Sequence, residues 1–171
     1  MKIFINPGHC PGVDSGAVGN GLKECDVALK IGTRVKNYLE KIGMDTVLLQ
    51  IDNLREIADA ANESKANLFI SIHCNSAATD TAHGTETFHW NGSTEGQKLA
   101  AKIQYQITNS IDITNRGIKT ANYAVLRLTE MPAVLVETAF INNSGDAKLL
   151  VEKEDEFARA IARGVTDYFT C

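Results

Sequence analysis

Ala133-Val134-Leu135-Val136-Glu137 is an unbroken apolar run closed by a carboxylate. A strand with one wet face alternates apolar and polar residues, so a continuous run marks a central strand buried on both faces. Upstream, Leu68-Phe69-Ile70-Ser71-Ile72 leads to His73, and Lys2 to Asn6 leads through Pro7-Gly8 to His9. Thr46-Val47-Leu48-Leu49 reads as a further strand, and Gly84 to Trp90 alternates like a half-buried one. Helical spacing falls between them. It links Val27, Ala28, Ile31, Val35, Leu39 and Ile42, ending near Gly43, then Leu54, Ile57, Ala58 and Ala61. It returns at Leu99, Ala100, Ile103 and Ile107, with Ser93 as the cap, and at Phe157, Ile161, Val165 and Tyr168. This alternation predicts a single-domain α/β fold, a mainly parallel, mixed, twisted sheet flanked by helices on both faces. With no repeat, low-complexity tract or linker, one domain is expected over residues 1–171.

In such sheets ligands bind outside the carboxyl ends of the strands. That rule gathers His9, His73 and Glu137 at one edge. Glu24 opens the helix after a loop holding Gly12, Gly16, Gly19 and Gly21, which returns the chain to the same edge. Two imidazoles and one carboxylate suit zinc with one position left open for water, and the second carboxylate is then free to act as a base. Glu137, at the end of an apolar run, needs a cation, a hydrogen-bond network or a catalytic task. A structural ion pair with Arg127 or Lys119 is the rival reading. His83 and His89 fall on one face of the Gly84–Trp90 strand and compete as ligands. Glu86 falls on the opposite face with Phe88 and Trp90, as a support for neighbouring site groups, as a substrate contact, or as an exposed residue.

The formal charge of −4 over 171 residues argues against a nucleic-acid partner and against adhesion to an anionic membrane. No apolar run reaches the length of a membrane span, so no membrane insertion is expected. Only Ile3-Phe4-Ile5 are apolar between Lys2 and Pro7-Gly8, so no export leader is read there. Action outside the cell would need another route, a missing region or phage lysis. The cysteines are Cys10, Cys25, Cys74 and Cys171. Reduced thiols are the favoured state. Three follow His9, Glu24 and His73 directly, which makes thiolate ligation a rival. Neighbouring strand residues point to opposite faces, which favours the cysteines as small apolar filler. The H-E-x-x-H, Walker and Gly-x-Ser-x-Gly motifs are absent.

Seven segments together resemble the zinc-dependent N-acetylmuramoyl-L-alanine amidases, a cell-wall amidase family with a phosphorylase/hydrolase-like α/β fold. They are Asn6 to His9, Gly21 to Glu24, Ser71 to Asn75, Gly84 to Glu86, Asn115 to Lys119, Val125 to Arg127 and Pro132 to Phe140, in the family's order over nearly the whole chain. The resemblance implies hydrolysis of the amide between N-acetylmuramic acid and L-alanine in peptidoglycan. It implies one zinc per chain on His9, Glu24 and His73, with Glu137 as the catalytic carboxylate. Asn75 and Glu86, inside matching segments, are expected to contact substrate, and a monomer acting at the bacterial wall is expected. Asn6 and Cys10 stand where the family usually has Asp and Gly. Asn6 keeps a hydrogen-bond acceptor to support a ligand histidine. Leu49-Gln50 stands where a Thr-Arg pair is common.

Overall fold

The computed structural model describes residues 1–170; the expectation of a reduced Cys171 lies outside the described residues. In chain order the elements are β1 (Lys2–Pro7), β2 (Val18–Gly19), β3 (Leu22–Lys23), α1 (Glu24–Lys41), β4 (Asp45–Leu48), α2 (Leu54–Glu63) and β5 (Leu68–Asn75). There follow β6 (Thr85–His89), α3 (Thr94–Ser110), β7 (Asn115–Thr120), α4 (Ala124–Leu128), β8 (Ala133–Phe140), α5 (Ser144–Glu152) and α6 (Glu154–Phe169).

The main sheet has the order β4-β1-β5-β8-β6-β7. Every pairing is parallel except β6 against β8. This is the mainly parallel, mixed sheet that the sequence predicts. β1, β5 and β8 carry continuous apolar runs because both their faces are covered. Ile3, Ile5, Ile70, Ile72, Val134 and Val136 join α1, α3 and α6 in one core. Phe4, Phe69 and Leu135 join α2 and α4 in a second, smaller one. There Phe4 and Phe69 stack with ring centroids 5.7 Å apart. Each such side chain, fully withdrawn from water, contributes roughly 1.5–3 kcal/mol.

The two layers are unequal, and this positions the site. α2 and α4 are short, so the carboxyl ends of β1, β5 and β8 stay uncovered on that side. Asn53 starts α2 by accepting from the Arg55 and Glu56 amides. Ser93 caps α3 as expected, accepting from Gly96 N at 3.0 Å. α1 runs to Lys41, short of Gly43. The sequence reading missed the β2–β3 hairpin, β7, α4 and α5. Two-residue strands show no period, and β7 is an edge strand whose Asn115-Arg116-Gly117-Ile118-Lys119-Thr120 alternates nothing apolar. β6 begins at Thr85, so His83 precedes the strand instead of sharing a face with His89. No described helix is long and apolar enough to cross a membrane.

α6 crosses α3 closely because Gly164 lacks a side chain. A Cβ there would lie 2.6 Å from Ile103 Cα. Alanine gains about 1 kcal/mol of helix propensity, whereas overpacking costs about 1–3 kcal/mol. The obstacle is backbone, so the loss wins. Gly164→Ala is expected to lower the urea midpoint, with a net cost of up to about 2 kcal/mol. An unchanged midpoint would show that the two helices separate freely.

Candidate active site

β1 ends at Pro7, and the Gly8 amide beyond it still donates to Ile72 O at 2.8 Å, so His9 leaves the sheet beside β5. His9 then adopts φ 60°, a left-handed conformation that a non-glycine residue holds only when its surroundings enforce it. The enforcement is visible. A turn from Cys10 to Asp14 closes through Cys10 N to Asp14 O at 2.9 Å. It brings Asp14 Oδ2 to 2.5 Å from His9 Nδ1. The loop next lays Ser15 and Ala17 against the start of α1, with Glu24 N donating to Ala17 O at 2.9 Å. Gly16, at φ +64°, has no room for a Cβ, which would lie 2.5 Å from His9 Cδ2.

Glu24 is the first residue of α1, where the unpaired helix amides favour an anion. Its carboxylate is buried and fully partnered. Oε2 accepts from Ala17 N at 2.8 Å and faces His9 Nε2 at 3.2 Å. Oε1 accepts from Cys74 N at 3.0 Å and faces His73 Nδ1 at 2.9 Å. The inward nitrogens are therefore Nε2 of His9 and Nδ1 of His73. Each ring's other nitrogen is engaged, by Asp14 for His9 and by Ser71 Oγ at 3.1 Å for His73. Ser71 in turn donates to Asn6 Oδ1 at 2.9 Å. Asn6 thus supports a histidine through Ser71, not directly.

One ligand atom each from His9, Glu24 and His73 lies within 4.8 Å of the others. Two imidazole nitrogens and a carboxylate oxygen, each backed by an outer hydrogen bond, fit a small divalent cation. Without one, the hydrogen bond to Glu24 raises His9 to about 9. Burial alone would raise Glu24, but the bonds from His73 and His9 overcome it and hold the carboxylate well below its usual range.

Glu137 occupies the next strand. His73 pairs with Glu137 across β5–β8, and Glu86 pairs with Glu137 across β8–β6. His73, Glu137 and Glu86 therefore form a lateral row about one strand spacing, ~4.8 Å, apart. Neither ion pair considered for Glu137 forms, since Lys119 reaches Glu86 and Arg127 reaches Asn122. Glu137 Oε2 is buried without a hydrogen-bond partner, alone in this among the described residues. Burial first, then the charges of Glu24 and Glu86, push its pKa up to about 8. A cleft of about 330 Å³ opens beside it, lined by apolar Ile51, Leu54, Ile57 and Tyr123 along with His9 and His73.

The comparisons agree with this geometry. Residues 3–167 match the profile of the N-acetylmuramoyl-L-alanine amidase family. The chain belongs to that family. It is 38% identical over 175 residues to N-acetylmuramoyl-L-alanine amidase LytC of Bacillus subtilis (strain 168), covering 98% of this chain and 35% of LytC. It is 38% identical over 173 residues to the endolysin of Bacillus phage SPP1, covering 95% of this chain and 62% of that protein. The chain thus spans about a third of the one and under two thirds of the other. The structure of N-acetylmuramoyl-L-alanine amidase AmiC2 of Nostoc punctiforme superposes with a TM-score of 0.93 at 36% identity, covering 100% of this chain and 98% of that one.

The fold keeps the other candidates away from the cluster. His83 is exposed with Nδ1 on Thr81 O at 2.9 Å, and His89 is buried with Nδ1 on Trp90 O at 3.0 Å. Cys74 lies on the opposite face of β5, in the apolar core, where burial pushes its thiol pKa up. Cys10, Cys25 and Cys74 are all free thiols. Glu86 is buried, and both its oxygens are engaged by protein groups. Its Oε1 accepts from Asn75 at 2.6 Å, and its Oε2 takes Arg116 Nε at 3.1 Å and the Lys119 ammonium. Three contributors escaped the sequence reading. Asp14 orients His9, Ser71 orients His73, and Gln50 ties Gly8 O to Cys25 O at 3.2 and 2.9 Å. Only Ser71 left a signal, as the lone hydroxyl within an apolar run.

The position of Glu137 has a cost that can be measured on metal-free protein. In the unfolded chain the carboxyl ionises near 4.5, whereas in the fold it stays protonated to about 8. The unfolded state sheds the proton first, so the Glu137 contribution to stability falls as pH rises from 4.5 to 8 and is level above that, while the contribution of His9 is lost as pH rises toward 9. Glu137→Gln removes the group that titrates. The chelated variant is expected to come close to the parent near pH 5 and exceed it at pH 8.5, by on the order of 4 kcal/mol. Equal melting temperatures at pH 8.5 would show that the carboxyl is solvated after all.

Proposed function

We propose that this chain hydrolyses the amide between N-acetylmuramic acid and L-alanine in peptidoglycan, using one zinc on His9, Glu24 and His73 with Glu137 as the catalytic carboxylate. The observation that carries the reading is the unpartnered, buried Glu137 Oε2 one strand from a three-ligand cluster. A structural carboxylate is given donors; a proton carrier is left without them.

When bound, zinc supplies a Lewis acid for the scissile carbonyl and brings the pKa of a water down to about 7. The protein does the rest. Glu24 would complete the ligand set, its carboxylate held in place by the Ala17 and Cys74 amides. Asp14 and the Ser71–Asn6 pair set the tautomers, leaving Nε2 of His9 and Nδ1 of His73 as the inward lone pairs. His9, protonated near neutrality without a metal, would give up that proton to serve as a ligand. Glu137 takes a proton from the attacking water and passes it to the amide nitrogen, which leaves only as an amine once protonated. Its raised pKa matches a group that must both accept and give back a proton near neutrality. Apolar Ile51, Leu54, Ile57 and Val125 line the cleft beside these groups. All of these groups come from one chain, which supports action as a monomer. The wall-directed names of the relatives support action at the cell wall.

The purified protein is expected to carry about one zinc per chain, and His9→Ala or His73→Ala to lose it. Glu137→Ala should keep zinc and lose roughly 10²–10⁴ in kcat. Zinc loss in that variant would make Glu137 a ligand, and full zinc in both histidine variants would overturn the ligand set. Digestion should free the α-amino group of L-alanine without new reducing sugar ends. Efficient cutting of a stem peptide lacking the muramyl sugar would instead identify a zinc peptidase.

A further inference from the structure

The lateral row does not stop at Glu86. At the next strand, β7, the register with β6 shifts between Thr85 and Thr87, so Arg116 and Gly117 together oppose Glu86. This bulge re-aims Arg116, whose Nε reaches Glu86 at 3.1 Å while its Nη1 donates to His83 O at 3.3 Å. Its guanidinium also lies 4.9 Å over the Phe140 ring. Lys119, further along β7, places its ammonium on the same Glu86 oxygen. One buried carboxylate is thus met by two cations and the Asn75 amide, when a single cation would neutralise it. The surplus is one positive charge, one strand from Glu137, in a chain of net charge −4. Both cations remain open to solvent, with side chains 34% and 41% exposed, against 5% for Glu86.

We propose that Arg116 and Lys119, anchored by Glu86, form a subsite for the carboxylate of the acidic stem residue that follows L-alanine. The inference rests on the amidase reading and adds the direction in which substrate lies. The cationic heads sit on Glu86, about one strand spacing or ~5 Å from Glu137. An extended peptide advances about 3.4 Å per residue, so the stem residue after L-alanine comes within their reach. A bound carboxylate closes the group to two cations and two anions. The opposite flank cannot take it: the cleft there is lined by apolar residues with Asp14 and Asp52, and no Lys or Arg lines it among the described residues. The stem therefore runs toward β7 and the muramyl sugar toward α2 and α4. Glu86 is a positioning residue that holds the two cations, not a substrate contact.

The test compares two muramyl peptides, one carrying glutamate after L-alanine and the other identical except that the free carboxylate of that residue is a carboxamide. With zinc-loaded protein, kcat/KM is expected to favour the acid. Lys119→Met should cut that acid-to-amide ratio about tenfold, mainly through KM, while Lys119→Arg should preserve it. Melting temperature and zinc content of each variant report on folding, and Glu86 keeps Arg116 in the Met variant. In parallel, calorimetry measures binding of the free acidic and amidated stem peptides, which requires no turnover. An acid-to-amide ratio unchanged by Lys119→Met, in both turnover and binding, overturns the subsite. Failure to cut either muramyl peptide, with acid-selective binding that Lys119→Met abolishes, keeps the subsite and overturns the amidase reading.

Discussion

Glu137 sits where no donor reaches its Oε2, and three carboxylates around the site differ mainly in how completely they are partnered. Glu24 receives two backbone amides and two imidazoles, and Glu86 receives an amide and two cations, so both ionise more easily than usual. Glu137 receives neither, and its neighbours' charges add to the burial that raises it. Groups of the same type, a strand or two apart, are thereby pushed to opposite ends of the carboxyl range. Such divergence is how one scaffold obtains a permanent anion and a proton carrier from identical chemistry. It also explains the sheet. Holding an unpartnered carboxyl costs stability, and only a strand packed on both faces and paired on both edges can hold it fixed.

The same rigidity is applied to the ligand cluster by other means. His9 lies past the end of its strand in a left-handed conformation, so no sheet pairing defines its place. The Cys10–Asp14 turn, the bare Gly16 and the Gln50 amide substitute for that pairing. His73 needs less help, since β5 fixes its backbone and Thr138 Oγ1 donates to its carbonyl at 2.8 Å. One histidine is placed by the sheet and the other by a hydrogen-bonded loop, and Glu24 closes the gap between them with one oxygen for each.

The parts legible in the sequence are those that obey a period. The runs at Ile3-Phe4-Ile5, Leu68 to Ile72 and Ala133 to Val136 declared a parallel sheet, and the rule for strand ends then placed His9, His73 and Glu137 together. Glu24 followed from the glycine-rich return. What stayed hidden acts without periodicity. Asp14 works through a turn that closes five residues from His9, and β7 pairs along an edge with polar residues on both faces. Glu86 was placed on the correct face, but period-2 counting cannot say whether a carboxylate meets water or two cations. That depended on the bulge in β7, which a single chain of letters does not mark.

The charge layout of the groove follows from the same row. A chain of net charge −4 gains no long-range attraction toward an anionic polymer, and at physiological salt exposed charges act over only about 8 Å. Recognition must then be local, made by charges held within reach of the reacting bond. Arg116 and Lys119 meet that condition because Glu86 draws them inward from an edge strand that would otherwise splay them into solvent. On the proposed reading, the carboxylate that gathers them does so without lending its oxygens to substrate. Its proximity also helps keep Glu137 protonated. One buried side chain thus couples where the stem lies to how the neighbouring acid titrates, through nothing longer than the spacing between strands.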